Sequence, residues 1–303
     1  MKKNKTVWLL GLAFLMICGT LQAEALNPSV IPGNIRWMVH VDVEQFAGTN
    51  LRMLFEESKR DLWRSQIREI EETARIDFFK DMKSITLMGM GRDEEKTVVM
   101  FTGNLNMSYL LGILQKEVKP KEIGYGKYVI YHWKRNEYGV FMSENVFLMG
   151  RNSDSVKTVL DTMDGKANSL SESKWMETIR QFPSHAFITA VADDVSGLID
   201  ENPASLLLNK TDAACFMAAE SKSIVTARLD LTAESDDAAV QMDKAIQGLV
   251  AIGMMQSGEK AALKNLIDGL KVNRDGRTIQ LRLDQSSDDF INFILGKWDW
   301  FPY

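Results

Sequence analysis

An α+β fold, in two tandem related domains that are each a mainly antiparallel sheet with helices packed on one face, is what this 303-residue sequence predicts. Three observations carry the prediction. Short runs alternate apolar and polar residues with period two, the mark of a half-buried strand, and are interleaved with longer runs of helical period. Pairs of these strands are joined by short polar turns, which makes them antiparallel neighbours. The order strand, helix, hairpin, helix, hairpin, helix can be read twice along the chain, and helices over one face of an antiparallel sheet is the economical packing for it.

The chain opens with Lys2, Lys3 and Lys5, an apolar run from Val7 to Cys18, and a small-residue exit at Ala23-Glu24-Ala25. That sequence of features describes a secretory signal peptide, residues 1–23, and an exported protein of the periplasm or beyond. The apolar run falls short of the roughly 20 residues a spanning helix needs, so no stable transmembrane span is expected once the leader is cleaved. Lipidation at Cys18 is the weaker alternative, because bulky Ile17 precedes the cysteine where a small residue belongs.

The first domain, 24–165, begins with a strand at Trp37–Val43, in which Trp37, Val39, Val41 and Val43 alternate with Met38, His40 and Asp42. A long helical region from about Glu44 to Thr73 carries Leu51, Leu54, Leu62, Ile67 and Ile70. Strands at Ser84–Met90 and Thr97–Gly103 flank a polar turn, and Leu110, Leu111 and Leu114 mark a helix at about Met107–Val118. Short strands follow at Tyr128–Trp133, Gly139–Met142 and Val146–Met149. A closing helix, Asp154–Met163, is expected to be capped by Ser153. A linker, 166–183, holds a short helix through Trp175, Met176 and Ile179.

The second domain, 184–303, repeats the order. It has a strand at Ala186–Ala192, a broken helical stretch around Val195–Leu208, and a hairpin of Ala213–Ala219 with Ile224–Leu231. A long helix at about Asp236–Gln256 shows Ala239, Met242, Ile246, Leu249 and Ile252 at helical spacing. A helix near Lys260–Leu270 leads to Lys271–Asn273. The dipeptide Asp275-Gly276 predicts a two-residue hairpin turn before Thr278–Leu283. A helix at Asp288–Leu295, capped by Ser286 or Ser287, closes the copy.

Composition bounds the function classes. The net charge is −5, and loss of residues 1–23 removes three lysines and no acid, taking it to −8. An acidic surface of this kind argues against nucleic acid, whose phosphates call for clustered Lys and Arg. Cys215 is the one cysteine left after the leader, so no intramolecular disulfide is expected and the thiol reads as a small core residue.

The run Gly150-Arg151-Asn152-Ser153-Asp154-Ser155-Val156-Lys157-Thr158-Val159-Leu160-Asp161 passes through Gly165 to Ser169-Leu170-Ser171 and a new strand. With the opening Trp37-Met38-Val39-His40-Val41-Asp42 and the close Val272-Asn273-Arg274-Asp275-Gly276-Arg277-Thr278-Ile279, it resembles a broad group of exported bacterial proteins of unknown function built from tandem α+β repeats. The resemblance extends over most of the mature chain and implies an architecture and an envelope location. It implies no catalytic residues.

Candidate chemistry is sparse. His40 and Asp42 lie two apart on a strand and so share a face opposite the valines. A carboxylate beside an imidazole is a usable acid–base pair, yet no third partner is evident. The competing reading is a polar strand face, or one covered by a helix with His40 hydrogen-bonded to Asp42. Tyr131, His132 and Trp133 read as a packed or ligand-contacting sheet surface, and His185 as loop. Asp193-Asp194, Asp236-Asp237 and Asp288-Asp289 stand at expected helix starts, where negative charge complements the helix dipole, and match no calcium loop. Gly89-Met90-Gly91 precedes a charged turn rather than a phosphate-binding helix. No metal or other cofactor is expected.

The chain ends Trp298-Asp299-Trp300-Phe301-Pro302-Tyr303. So apolar a terminus either folds back on its own domain or anchors a partner through Trp298, Trp300, Phe301 and Tyr303. The expected function is a non-catalytic binding or scaffolding protein of the bacterial envelope, whose partner is an envelope protein or a small apolar ligand. The alternative is a hydrolase or small-ligand-binding protein with a His40/Asp42 site near the junction of the domains. That alternative requires those two side chains to line a concave pocket.

Overall fold

The structure is a computed structural model in which residues 26–57, 61–134, 136–143, 145–193, 209–256 and 261–295 are described. The expected leader with Cys18, the helical stretch Val195–Leu208 and the aromatic run from Trp298 to Tyr303 lie outside the described residues. The fold is mixed α+β, and the contacts divide the chain into two units. The first holds Met1–Gly48 with Arg60–Phe187, and the second Thr49–Lys59 with Ile188–Tyr303.

The first unit opens with β1 (Trp37–Asp42), whose last residue caps α1 (Val43–Phe46): Asp42 Oδ1 accepts from the Gln45 amide at 2.8 Å. The single long helix expected at 44–73 is three. After α1 the chain breaks at Ala47-Gly48, and Thr49 Oγ1 accepts from the Arg52 amide at 3.1 Å, which restarts a helix, α2 (Asn50–Glu57). Then comes α3 (Asp61–Ala74). A capped turn, α4 (Phe78–Asp81), leads into β2 (Met82–Gly89) and β3 (Thr97–Gly103). Next are α5 (Met107–Glu117), β4 (Lys121–Tyr125), β5 (Tyr128–Trp133), β6 (Glu137–Ser143) and β7 (Val146–Gly150). The closing helix α6 (Ser153–Met163) is capped not by Ser153 but by Asn152, whose side chain accepts from the amides of Asp154 at 2.8 Å and Ser155 at 3.3 Å. A short α7 (Trp175–Ile179) follows.

Strand order in this unit is β1-β2-β3-β7-β6-β5-β4, with each neighbour antiparallel. The edge strand β4 was not foreseen. Lys121, Glu122 and Gly124 are exposed and Ile123 only half-buried, so the segment lacks the apolar alternation that reveals a strand. One face of the sheet carries Met38, His40, Met88, Met100 and Leu148, all buried. Against this face pack the fully buried Val156, Val159 and Leu160 of α6, with Val156 close over Gly150 and beside Val98.

The second unit contains β8 (Ala186–Asp193, from Ile188 onward), β9 (Thr211–Ser221), β10 (Ile224–Ala233), α8 (Asp236–Gln256), α9 (Ala261–Gly269), β11 (Leu270–Asp275), β12 (Thr278–Ser286) and α10 (Ser287–Leu295). Its strand order is β8-β9-β10-β12-β11. The core is built by α8 on the sheet: Ala238, Ala239, Met242 and Ile246 meet Leu231, Ala233 and Ile279. Ser235 Oγ starts α8 by accepting from the Ala238 amide, and Ser286 Oγ starts α10 by accepting from the Asp289 amide, both at 3.1 Å. The β11–β12 turn sits one residue later than expected. Asp275 pairs with Thr278, so Gly276 and Arg277 are its central residues, and of these Gly276 alone has positive φ, at 54°.

Helix α2 belongs with the second unit for a local reason. The Glu220 carboxylate of β9 accepts from the amides of Asn50 and Leu51, each at 2.9 Å, and so satisfies two of the unpaired donors that begin a helix. Along its length α2 packs on α10. Glu220→Ala is expected to cost about 1–3 kcal/mol locally, because two half-buried amides lose a charged acceptor. Hydrogen exchange over residues 50–57 checks this: it should quicken by about tenfold or more while exchange in α8 is unchanged.

Candidate functional site

The strand registers of the first unit assemble an aromatic row that no single segment contains. Phe101 of β3 lies opposite Phe147 of β7, which lies opposite Phe141 of β6. Their rings stack with centroids 6.0 Å apart for Phe101–Phe147 and 4.7 Å for Phe141–Phe147. Tyr131 of β5 extends the row, meeting Phe141 edge-on at 5.8 Å. Trp133, two residues on, lies on the same face, and its indole covers Gly139. A Cβ at that position would sit 2.5 Å from the ring and 3.1 Å from Phe147, so glycine is what lets Trp133 lie this close to β6. Val129, on this face by alternation, is 41% exposed, and Phe101, Phe141 and Phe147 are half-buried.

His132 points to the opposite face and stacks on Tyr138, with centroids 4.5 Å apart and planes 9° from parallel. The expected Tyr131-His132-Trp133 surface is thus split by the pleat: Tyr131 and Trp133 belong to the aromatic row, and His132 does not. Phe101, Phe141 and Phe147 were missed. Each looks like any apolar strand residue, and the signal that joins them is register across β3, β7 and β6.

The β4–β5 hairpin, which brings Tyr131 and Trp133 to the row, is tied down by carboxylates at the end of α6. Asp164 accepts from Lys127 Nζ at 2.7 Å, Lys166 Nζ at 2.8 Å and Tyr128 Oη at 2.7 Å, while Tyr125 Oη donates to Asp161 at 2.8 Å. The hydrogen bond from Lys127, then those from Lys166 and Tyr128, hold the Asp164 carboxyl well below the usual carboxylate range. Burial raises the Tyr131 phenol, with the Glu122 charge adding to it. These groups position β4 and β5.

His40 and Asp42 do not come together as an acid–base pair with access to solvent. His40 is 4% exposed and Asp42 2%. His40 Nδ1 lies 2.9 Å from Thr86 Oγ1, directly across in β2, and its Nε2 is buried without a hydrogen-bond partner. Burial lowers the imidazole to about 4, so the ring is neutral near pH 7. Asp42 serves as the cap of α1. Both side chains are enclosed, and the partner of His40 is Thr86 rather than Asp42. Neither side chain lines an open pocket.

His185 is exposed, and Cys215 is 6% exposed in β9. Asp236-Asp237 and Asp288-Asp289 stand in the first turns of α8 and α10. Asp193 ends β8, and Asp194 lies outside the described residues. Among the described residues no group of three or more His, Cys, Asp or Glu is placed to hold a metal ion, and no helix is long and apolar enough to cross a membrane.

No family model and no curated relative matches the chain. Among solved structures, the chain is similar to TP0453. To crystal form III the identity is 9%, with 90% of this chain and 99% of that chain covered and a TM-score of 0.55. To crystal form I the identity is again 9%, with 90% and 98% covered and a TM-score of 0.49. The likeness to form III is one of mixed α+β fold.

Proposed function

We propose that this protein is an exported, non-catalytic binding or scaffolding protein of the bacterial envelope that takes an apolar partner on the aromatic face of its first unit. The observation that carries the reading is the row Phe101–Phe147–Phe141–Tyr131 with Trp133 beside it, held on four adjacent strands, in which Phe101, Phe141 and Phe147 are half-buried and Tyr131 and Trp133 are buried at one end. Large rings fixed on a sheet offer much contact area at little entropic cost, which is why aromatic residues dominate interface energetics. The charged and apolar leader pattern supports the envelope location.

A duplicated architecture is part of the same proposal. The orders β1-β2-β3-β7-β6 and β8-β9-β10-β12-β11 correspond place for place, with β4 and β5 as an added hairpin in the first unit. The added hairpin brings Tyr131 and Trp133, so the aromatic row is particular to that unit.

The test is site-specific photocrosslinking in the native envelope. A photoreactive residue at Val129, beside the row, should capture a discrete neighbour. The same residue at Ile224, 44% exposed on the second unit, should not. The Val129 capture should fall by about tenfold or more in Phe141→Ala/Phe147→Ala, since paired hot-spot truncations cost about 2 kcal/mol or more. Equal capture at both sites, or capture indifferent to the double substitution, would defeat the assignment. Turnover of a hydrolase substrate that vanishes in His40→Ala would defeat the non-catalytic reading.

A further inference from the structure

The register of β1 and β2 sets soft donor atoms side by side on one buried face of the sheet. His40 lies opposite Thr86, and Met38 lies opposite Met88. Met38, Met88 and Thr86 are fully buried, and His40 nearly so. Residues two apart on a strand share a face about 7 Å apart, and directly opposed residues stand about 5 Å apart. One imidazole and two thioethers thus occupy corners of a small rectangle, and methionine has the rotatable bonds to turn its sulfur toward a neighbour. The donors come from two separate strands, so no spacing motif announces them in the sequence.

The histidine is the group that lacks a partner. Its Nδ1 is 2.9 Å from Thr86 Oγ1, while its Nε2 is buried with no hydrogen bond. Leaving a buried polar atom unmatched is costly. With Nδ1–H donating to the threonine hydroxyl, Nε2 keeps its lone pair, on a ring that is neutral near pH 7. Metal-binding histidines are held in this way: the far nitrogen is fixed by an acceptor and the near one is left to coordinate.

The donor set selects the ion. Thioethers are soft and favour Cu(I), whereas protein-bound zinc takes thiolate, imidazole or carboxylate. Two thioethers and an imidazole carry no charge, which suits a monovalent ion better than a divalent one. Asp42, two residues beyond His40 on the same face and buried, supplies a negative charge.

We propose that His40 Nε2, Met38 Sδ and Met88 Sδ bind Cu(I), with Thr86 as the positioning residue that holds the imidazole. The site is independent of the aromatic row, which lies on the other face of the sheet. All three donors are closed off from solvent, so the ion enters as the strands close, and the test is made by refolding.

The experiment uses the full chain with Cys18→Ala and Cys215→Ala, which removes both thiols. It is refolded without oxygen in the presence of Cu(I) and then competed with bicinchoninate, a Cu(I) chelator. One ion should remain per folded chain. X-ray absorption at the copper edge should show sulfur beside nitrogen, a sulfur that only methionine can supply. Met38→Leu/Met88→Leu, which nearly conserves volume, should weaken retention at least tenfold. Thr86→Val should weaken it by about 10–100-fold and Thr86→Ser should restore it, because the hydroxyl is what holds the ring. Met242→Leu, in the core of the second unit, should leave it unchanged. Loss of copper from the parent chain, a spectrum without sulfur, or equal losses in Met38→Leu/Met88→Leu and Met242→Leu would overturn the proposal. The parent spectrum decides the matter even where a variant fails to fold.

Discussion

Lowering the pH from 7.5 to 5 is expected to weaken the fold by about 2 kcal/mol through one side chain, His40. Its ordinary value is 6.5 and burial takes it to about 4 in the folded chain, so the unfolded chain binds the proton first. The sign follows. The contribution of a neutral buried His40 is complete above pH 6.5, drains away as the pH falls from 6.5 to about 4, and is level below that. The whole span is about 3 kcal/mol, at 1.36 kcal/mol per unit. The carboxylates act in a separate, lower window. Asp164, bonded by Lys127, Lys166 and Tyr128, and Asp284, bonded by Arg282, are both held low, so what they add is lost only as the pH drops below about 4. Denaturant unfolding at pH 7.5 and pH 5 measures the difference. In His40→Gln, which keeps an amide for Thr86 and removes the titrating ring, the difference should nearly vanish. If it stays at about 2 kcal/mol, another group is responsible and the enclosure of His40 is not its cause.

His40 also shows where sequence reading stops. Alternation in Trp37–Val43 puts His40 and Met38 on one face and the valines on the other, and that much is what the structure has. Alternation does not say which face a helix will cover. Here both faces are closed at β1 and β2, with His40 and Thr86 buried on one and Val41 and Ile85 on the other, and α6 packs further along on β7, β3 and β6. Caps and turns were within reach to a residue or so, because Asn152, Ser286 and Gly276 act through local hydrogen bonds and backbone preference. Helix α2 was not. Its assignment to the second unit depends on Glu220, 169 positions from Leu51, and a local pattern holds no trace of so distant an acceptor. The aromatic row was out of reach for the same reason: Phe101, Phe141 and Phe147 become a surface only once β3, β7 and β6 are in register.

Gly103→Val is expected to be the most damaging single substitution among these strands, at about 3–5 kcal/mol, and Gly112→Ala should do the opposite. At the end of β3, Gly103 is pressed against backbone rather than against movable side-chain tips. A Cβ there would run into the Asp81 carbonyl oxygen, with the Met82 Cα 2.9 Å away and the Lys83 amide nitrogen 3.1 Å away. None of these atoms can step aside alone. The Asp81 carbonyl accepts from the Asn104 amide at 2.7 Å, and the Gly103 amide donates to the Asn145 carbonyl at 2.9 Å. The β2–β3 register also shifts between Met82 and Ser84, so the pairing at this end is already irregular. Relief requires parting β2 from β3, and with it the half-buried contact of Ser84 Oγ and Thr102 Oγ1 at 2.7 Å. Gly112 supplies the contrast. It lies inside α5 with nothing within 4 Å of an added Cβ, so alanine there removes backbone freedom from the unfolded chain and should stabilise by about 0.5–1 kcal/mol. Paired unfolding curves decide the matter: opposite signs support the packing described for β2 and β3. A Gly103→Val chain as stable as the parent would mean that the two strands do not approach each other as closely as the structure has them.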